Sequence, residues 1–172
     1  MNIQNLINGC LAVCVTLLIF NTFENKDKII EIENALDSSI KIQIESAYRQ
    51  YVDDFIENDF DAIASHFHPP VNFNTFGSIA TTYEEVINQY KDMKANIQEG
   101  YAYSIIDDIG IHGMENTQYL VCADYSRYNE KNERLFAGRT HYLYVLTSNG
   151  WKMNSLERKE RLQNQSCQSS LH

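Results

Sequence analysis

The amino-acid sequence predicts an α+β fold, a cone-shaped, curved antiparallel sheet wrapped around three helices and preceded by an N-terminal apolar segment. Three observations predict it. Apolar residues recur every three or four positions through most of the chain before residue 98, a single strand-like run interrupts that helical pattern, and from Tyr101 the period changes to two. A bent sheet packed over helices encloses a hollow, so the architecture implies a pocket without saying what fills it.

With 172 residues, 44% of them hydrophobic and 12% aromatic, the chain can bury one sizeable core but not two. A net charge of −9, with lysines and arginines scattered among acids, argues against nucleic acid, which needs a basic stripe. Cys10, Cys14, Cys122 and Cys167 lack metal-ligand spacing, so neither a zinc cage nor a disulfide framework is expected. No cofactor is expected.

Residues 1–23 carry no charge, and Leu6 to Phe20 is apolar apart from Asn8, Gly9 and Thr16. This reads as an anchor or a signal, hence a membrane-anchored or exported protein with association through residues 6–20; the alternative is cytoplasmic. The run falls short of the ~20 apolar residues a span needs and lacks the positive start and small-x-small site of a signal peptide. Residues 24–38 form a linker or helical extension, 39–158 the domain, and 159–172 a polar tail expected to fray.

Within the domain, Ile40, Ile44, Ala47, Tyr51 and Phe55 mark the first helix. Asn58 or Asp59 caps a second, short one with Phe60, Ile63, Ala64 and Phe67 on its apolar face, which Pro69-Pro70 stops. Val71 to Phe76 reads as a strand ended by Gly77-Ser78. Thr82-Tyr83-Glu84-Glu85 is a capping box opening a third helix that runs through Ile97 to a stop at Gly100. Residues 101–112, 117–128, 135–147 and 151–156 then alternate as strands, the last pair joined by Ser148-Asn149-Gly150, a hairpin signal.

This order, with the runs YRQYVDDFIENDFDAIASHFHPPVNF, TTYEEVINQY and HYLYVLTSNGWKM, resembles the nuclear transport factor 2-like (NTF2-like) superfamily, which includes SnoaL-like polyketide cyclases and ketosteroid isomerases, over Ile44 to Leu156. The resemblance implies a cone fold and a homodimer formed through the outer sheet face. It also places Asn74 where isomerase-like members carry their general-base aspartate, and an amide cannot abstract a proton. Tyr48 or Tyr51 could supply the family's oxyanion-hole tyrosine, but its late-strand acid falls near Tyr142. An isomerase of that type is therefore not expected.

Dehydratase-like members use histidines and an aspartate, for which the chain offers His66, His68, His112, His141 and Asp124. The catalytic candidates are Asp124, His141 and Tyr51. Asp124 shares a strand face with Leu120, Cys122 and Ser126, opposite Tyr119, Val121, Ala123 and Tyr125. His141 points outward if Tyr142 and Tyr144 face the hollow. His66-x-His68 lacks a third ligand, so no metal is expected. Pocket-lining candidates are Tyr48, Tyr51, Phe55, Phe67, Asn74, Tyr90, Tyr103, Tyr125, Tyr142 and Tyr144, a set that suits a small hydrophobic or aromatic ligand. Arg127 and Arg139 either pair with acids or meet an anionic ligand. Three functions follow: non-catalytic small-ligand binding or protein association, a lyase or isomerase acting on a small hydrophobic or polyketide-like substrate by acid–base chemistry, or a membrane-tethered dimeric scaffold.

Overall fold

The computed structural model describes residues 3–115, 117–161 and 164–169, of which 3–24 and 115 are described by backbone alone. The chain divides into two units, residues 1–40 and 41–172. Helix α1 (Ile3–Glu57) contributes to both. In the first unit Ile29, Ile32 and Leu36 are exposed. The anchor or signal expected at residues 1–23 lies outside the residues whose side chains are described. Among the described residues no helix is long and apolar enough to cross a membrane.

In the second unit α1 buries Ile44, Tyr48, Tyr51 and Phe55, whose spacing of three or four stacks them on one helix face. Asp59 caps α2 (Phe60–Ser65), its side chain accepting from the Ala62 amide. Helix α3 (Tyr83–Ala95) opens with the expected capping box, Thr82 accepting from the Glu85 amide while Glu85 reaches back to Thr81 and Thr82. It ends two residues before Ile97 because the Asn96 side chain takes the Asp92 carbonyl.

Six strands form one curved open sheet: β1 (Phe67–Phe73), β2 (Ser78–Ala80), β3 (Tyr103–Glu115), β4 (Gln118–Tyr128), β5 (Arg134–Thr147) and β6 (Gly150–Lys159), in the order β2-β1-β6-β5-β4-β3. Register shifts in β3, at the end of β4 and in the β5–β6 pairing interrupt the ladder, and such bulges bend long strands. The expected all-antiparallel sheet is corrected in one place, since β1 runs parallel to β6. β1 also starts at Phe67, four residues before the predicted strand. Pro69 and Pro70 fit inside it because the β1 residues registered with β6 jump from Phe67 to Asn72 and those registered with β2 begin at Val71, so neither proline is asked for a ladder hydrogen bond.

The expectation of no disulfide framework is corrected by a Cys122–Cys167 bridge. Cys122 sits on the sheet face turned away from the helices. Residues 164–169 come back over that face, where a Cβ on Gly110 would collide with the Cys167 carbonyl. Of the tail expected to fray, residues 164–169 are held: the Cys167 amide and Ser166 hydroxyl donate to Asp108, and Arg139 donates to the Gln165 carbonyl. Burial alone would raise the Asp108 carboxyl, but donors from Ser166, Cys167 and Ile109, with the Arg139 charge, hold it below its ordinary value.

Candidate functional site

Between the helices and the sheet lies a partly open cavity of about 60 Å³. Its walls come from α1 (Tyr48, Tyr51, Phe55), α3 (Tyr90), β4 (Tyr125, Arg127) and β5 (Thr140, Tyr142), and these elements bring together six of the ten residues expected to line it. Helical spacing turns the α1 and α3 rings inward, and alternation does so for the strand residues. The Tyr51 and Tyr90 hydroxyls are hydrogen-bonded at 2.8 Å. Tyr142 adjoins both Tyr48 and Tyr51, with ring centroids 5.2 and 5.8 Å away. Burial drives all four of these phenols well above their ordinary value, so at neutral pH they are uncharged and can donate or accept a hydrogen bond but cannot serve as a base.

The remaining four expected lining residues lie elsewhere. Phe67 is fully buried in the core against Tyr51 and Tyr90. Asn74 sits in a single 3₁₀ turn (Asn74–Phe76), exposed, its amide donating to Ser155. Tyr103 stacks on Tyr128 and donates to Asn132. Tyr144 packs deeper along β5, with its hydroxyl unpartnered.

Two of the three catalytic candidates are also absent from the cavity. Asp124 faces away from the helices, bound by two hydrogen bonds to Arg139 and 3.3 Å from Arg161. His141 is on that same face, paired in register with Cys122 and Glu157; burial, then Lys159 and Arg139, lowers its pKa. Only Tyr51 is at the cavity. His66 pairs with Asp54 at 2.6 Å and its ring meets Tyr51 edge-on, while His68 is exposed. Asp108, Asp124 and Cys167 converge within 4.8 Å in a donor set suited to a cation, yet the Cys167 sulfur is committed to Cys122 and a disulfide is no thiolate ligand.

Sequence reasoning missed Thr140 and Arg158 as lining residues. A signal existed: Thr140 is two positions from Tyr142, and Arg158 two from Leu156, which also lines the cavity, so period two places each pair on one face. Arg127 was singled out without a location. It is 8% exposed and ringed by Phe55, Tyr101, Tyr125 and Phe136 at 5.2 to 5.8 Å.

Beside it, Lys94 lies over Phe55 and Tyr101 and donates to the Phe55 carbonyl. Burial, and then repulsion from Arg127, pulls the Lys94 ammonium from 10.5 down to about 8. Between those two values the unfolded chain holds a proton the folded chain has lost, so stability rises with pH across that window. An NMR titration is expected to place the Lys94 midpoint near 8; a midpoint at 10.5 contradicts this environment.

A family model for NTF2-like protein (DUF6841) matches residues 40–161, most of the chain. The chain belongs to this NTF2-like family. Among curated proteins none matches. Solved structures share the NTF2-like fold at low identity. A domain of unknown function with a cystatin-like fold from Nostoc punctiforme is 14% identical with a TM-score of 0.59, covering 73% of this chain and 80% of that one. A proposed dehydratase of the NTF2-like family from Streptomyces avermitilis is 17% identical with a TM-score of 0.56, over 73% and 98%. An NTF2-like protein of unknown function from Shewanella oneidensis is 13% identical with a TM-score of 0.55, over 69% and 97%. At such identities these likenesses show the NTF2-like fold alone, a fold that hosts unrelated functions.

Proposed function

We propose that this NTF2-like domain binds a small molecule in the tyrosine-walled cavity without acid–base catalysis on it. The observation that carries the reading is the composition of the wall: rings and hydroxyls from four elements, and among the described lining residues no aspartate, glutamate, histidine or cysteine. Apolar walls with a few convergent polar groups are the usual makeup of a ligand site. The lyase or isomerase reading needs a base within hydrogen-bond reach of the substrate, and Asp124 and His141 lie on the other side of the sheet.

Saturation-transfer NMR with acetone and isobutanol tests it. Transfer is expected from the wild-type protein to at least one probe at millimolar concentration. It is expected to vanish in Thr140→Phe, which fills the cavity from β5. No transfer in the wild type, or equal transfer in the filled variant, contradicts the reading.

A further inference from the structure

Arg127 is a buried cation without a counter-ion. Its Nη1 donates to the Gln98 side chain at 2.9 Å, its Nε has no partner, and among the described residues no carboxylate pairs with it. Three other arginines of this acidic chain differ. Arg139 is held by Asp124, Arg161 by Asp107 and Arg49 by Glu45. The acids in the strands flanking Arg127 are engaged on the opposite face: Asp107 with Ser126 and Arg161, Asp124 with Arg139. Asp108 is engaged by Ser166 and Cys167, so among the described residues no acid of those strands is left to reach the cavity side.

The positive charge is not confined to Arg127. Arg158 also lines the cavity, its guanidinium 5.9 Å from the Phe136 ring that Arg127 approaches at 5.6 Å, and Lys94 shares the Phe55 and Tyr101 rings with Arg127. Burying an unpaired charge is unfavourable, and gathering cations adds repulsion, which already depresses the Lys94 pKa. The rings stabilise Arg127 through their faces but offer nothing to its Nε–H edge. That edge matches a carboxylate, which accepts two parallel hydrogen bonds from a guanidinium.

Space sets the size. At ~10–15 Å³ for each water-sized occupant, a cavity of about 60 Å³ takes about four to six heavy atoms. We infer that the cavity binds a small organic monocarboxylate, its carboxylate against the guanidinium of Arg127 and its hydrocarbon part among the tyrosine rings. This rests on the ligand-binding reading above and names the chemical class of the ligand.

The test compares isobutyrate with isobutyramide, which has the same shape and no charge, by ligand-detected NMR titration of the full chain at neutral pH and low salt. Isobutyrate is expected to bind at least tenfold more tightly than the amide, and Arg127→Met to reduce that ratio to about one. Arg158→Gln, at an exposed position, is expected to lower the ratio severalfold, which keeps the assignment testable if Arg127→Met does not fold. Equal binding of acid and amide overturns the charge inference and leaves the cavity reading standing. Binding of neither overturns both. A preference that survives both substitutions puts the anion elsewhere and overturns the assignment to Arg127. Inorganic phosphate binding in place of isobutyrate overturns the carboxylate class.

Discussion

Arg139→Met is expected to destabilise the domain by about 3–5 kcal/mol, the range for breaking a buried ion pair by removing one partner. The Arg139 and Asp124 side chains are 3% and 7% exposed and joined by two hydrogen bonds at 2.6 and 3.0 Å. Without Arg139, the cation left beside Asp124 among the described residues is Arg161, at 3.3 Å, and the Gln165 carbonyl loses its donor. Denaturant unfolding at neutral pH measures the loss. The double variant Asp124→Leu/Arg139→Met is expected to recover part of it, since no unpaired charge then stays buried. A loss under about 1 kcal/mol in the single variant would mean that water reaches the pair and that this face is not sealed as described.

Reduction of the disulfide, or Cys167→Ala, is the second large effect. Cys122 and Cys167 are 45 residues apart, and closing a loop of that length restricts the unfolded chain by about 4 kcal/mol on the entropic account, with 2–4 kcal/mol typical of measured bridges. The bridge also holds in place the donors that keep Asp108 ionised and the Cys167 carbonyl that contacts His112. Unfolding with and without dithiothreitol is expected to differ by about 2–4 kcal/mol, and reduction is expected to free residues 164–169 for rapid amide exchange. Unchanged stability and protection after complete reduction would show that the tail is held by other contacts.

Much of this architecture was legible because it is periodic. Tyr48, Tyr51 and Phe55 at helical spacing, and Tyr125 and Tyr142 in strands of period two, place themselves on inward faces once the elements are recognised. The capping box at Thr82 and Glu85 is a local rule with a local outcome. What escaped the sequence depends on pairing between distant segments. Alternation set Asp124 apart from Tyr125, but its partner Arg139 is fixed only by the β4–β5 register. The tail looked polar and loose because nothing near Cys167 announces that Cys122, a whole hairpin earlier, waits on the outer face. Phe67 and Tyr144 were assigned to the cavity by ring type, whereas core and cavity differ only in how closely neighbours approach. The missing counter-ion of Arg127 could not be read at all, since it depends on where the acids of β3 and β4 turn.

The decisive question is what occupies the space between Tyr51, Tyr90, Tyr142 and Arg127. A crystal structure of the protein grown with isobutyrate measures it. Density for the acid is expected inside that space, with a carboxylate oxygen within hydrogen-bond distance of the Arg127 guanidinium. Tyrosine rings closing over the space, or the acid bound only outside it, would contradict the account.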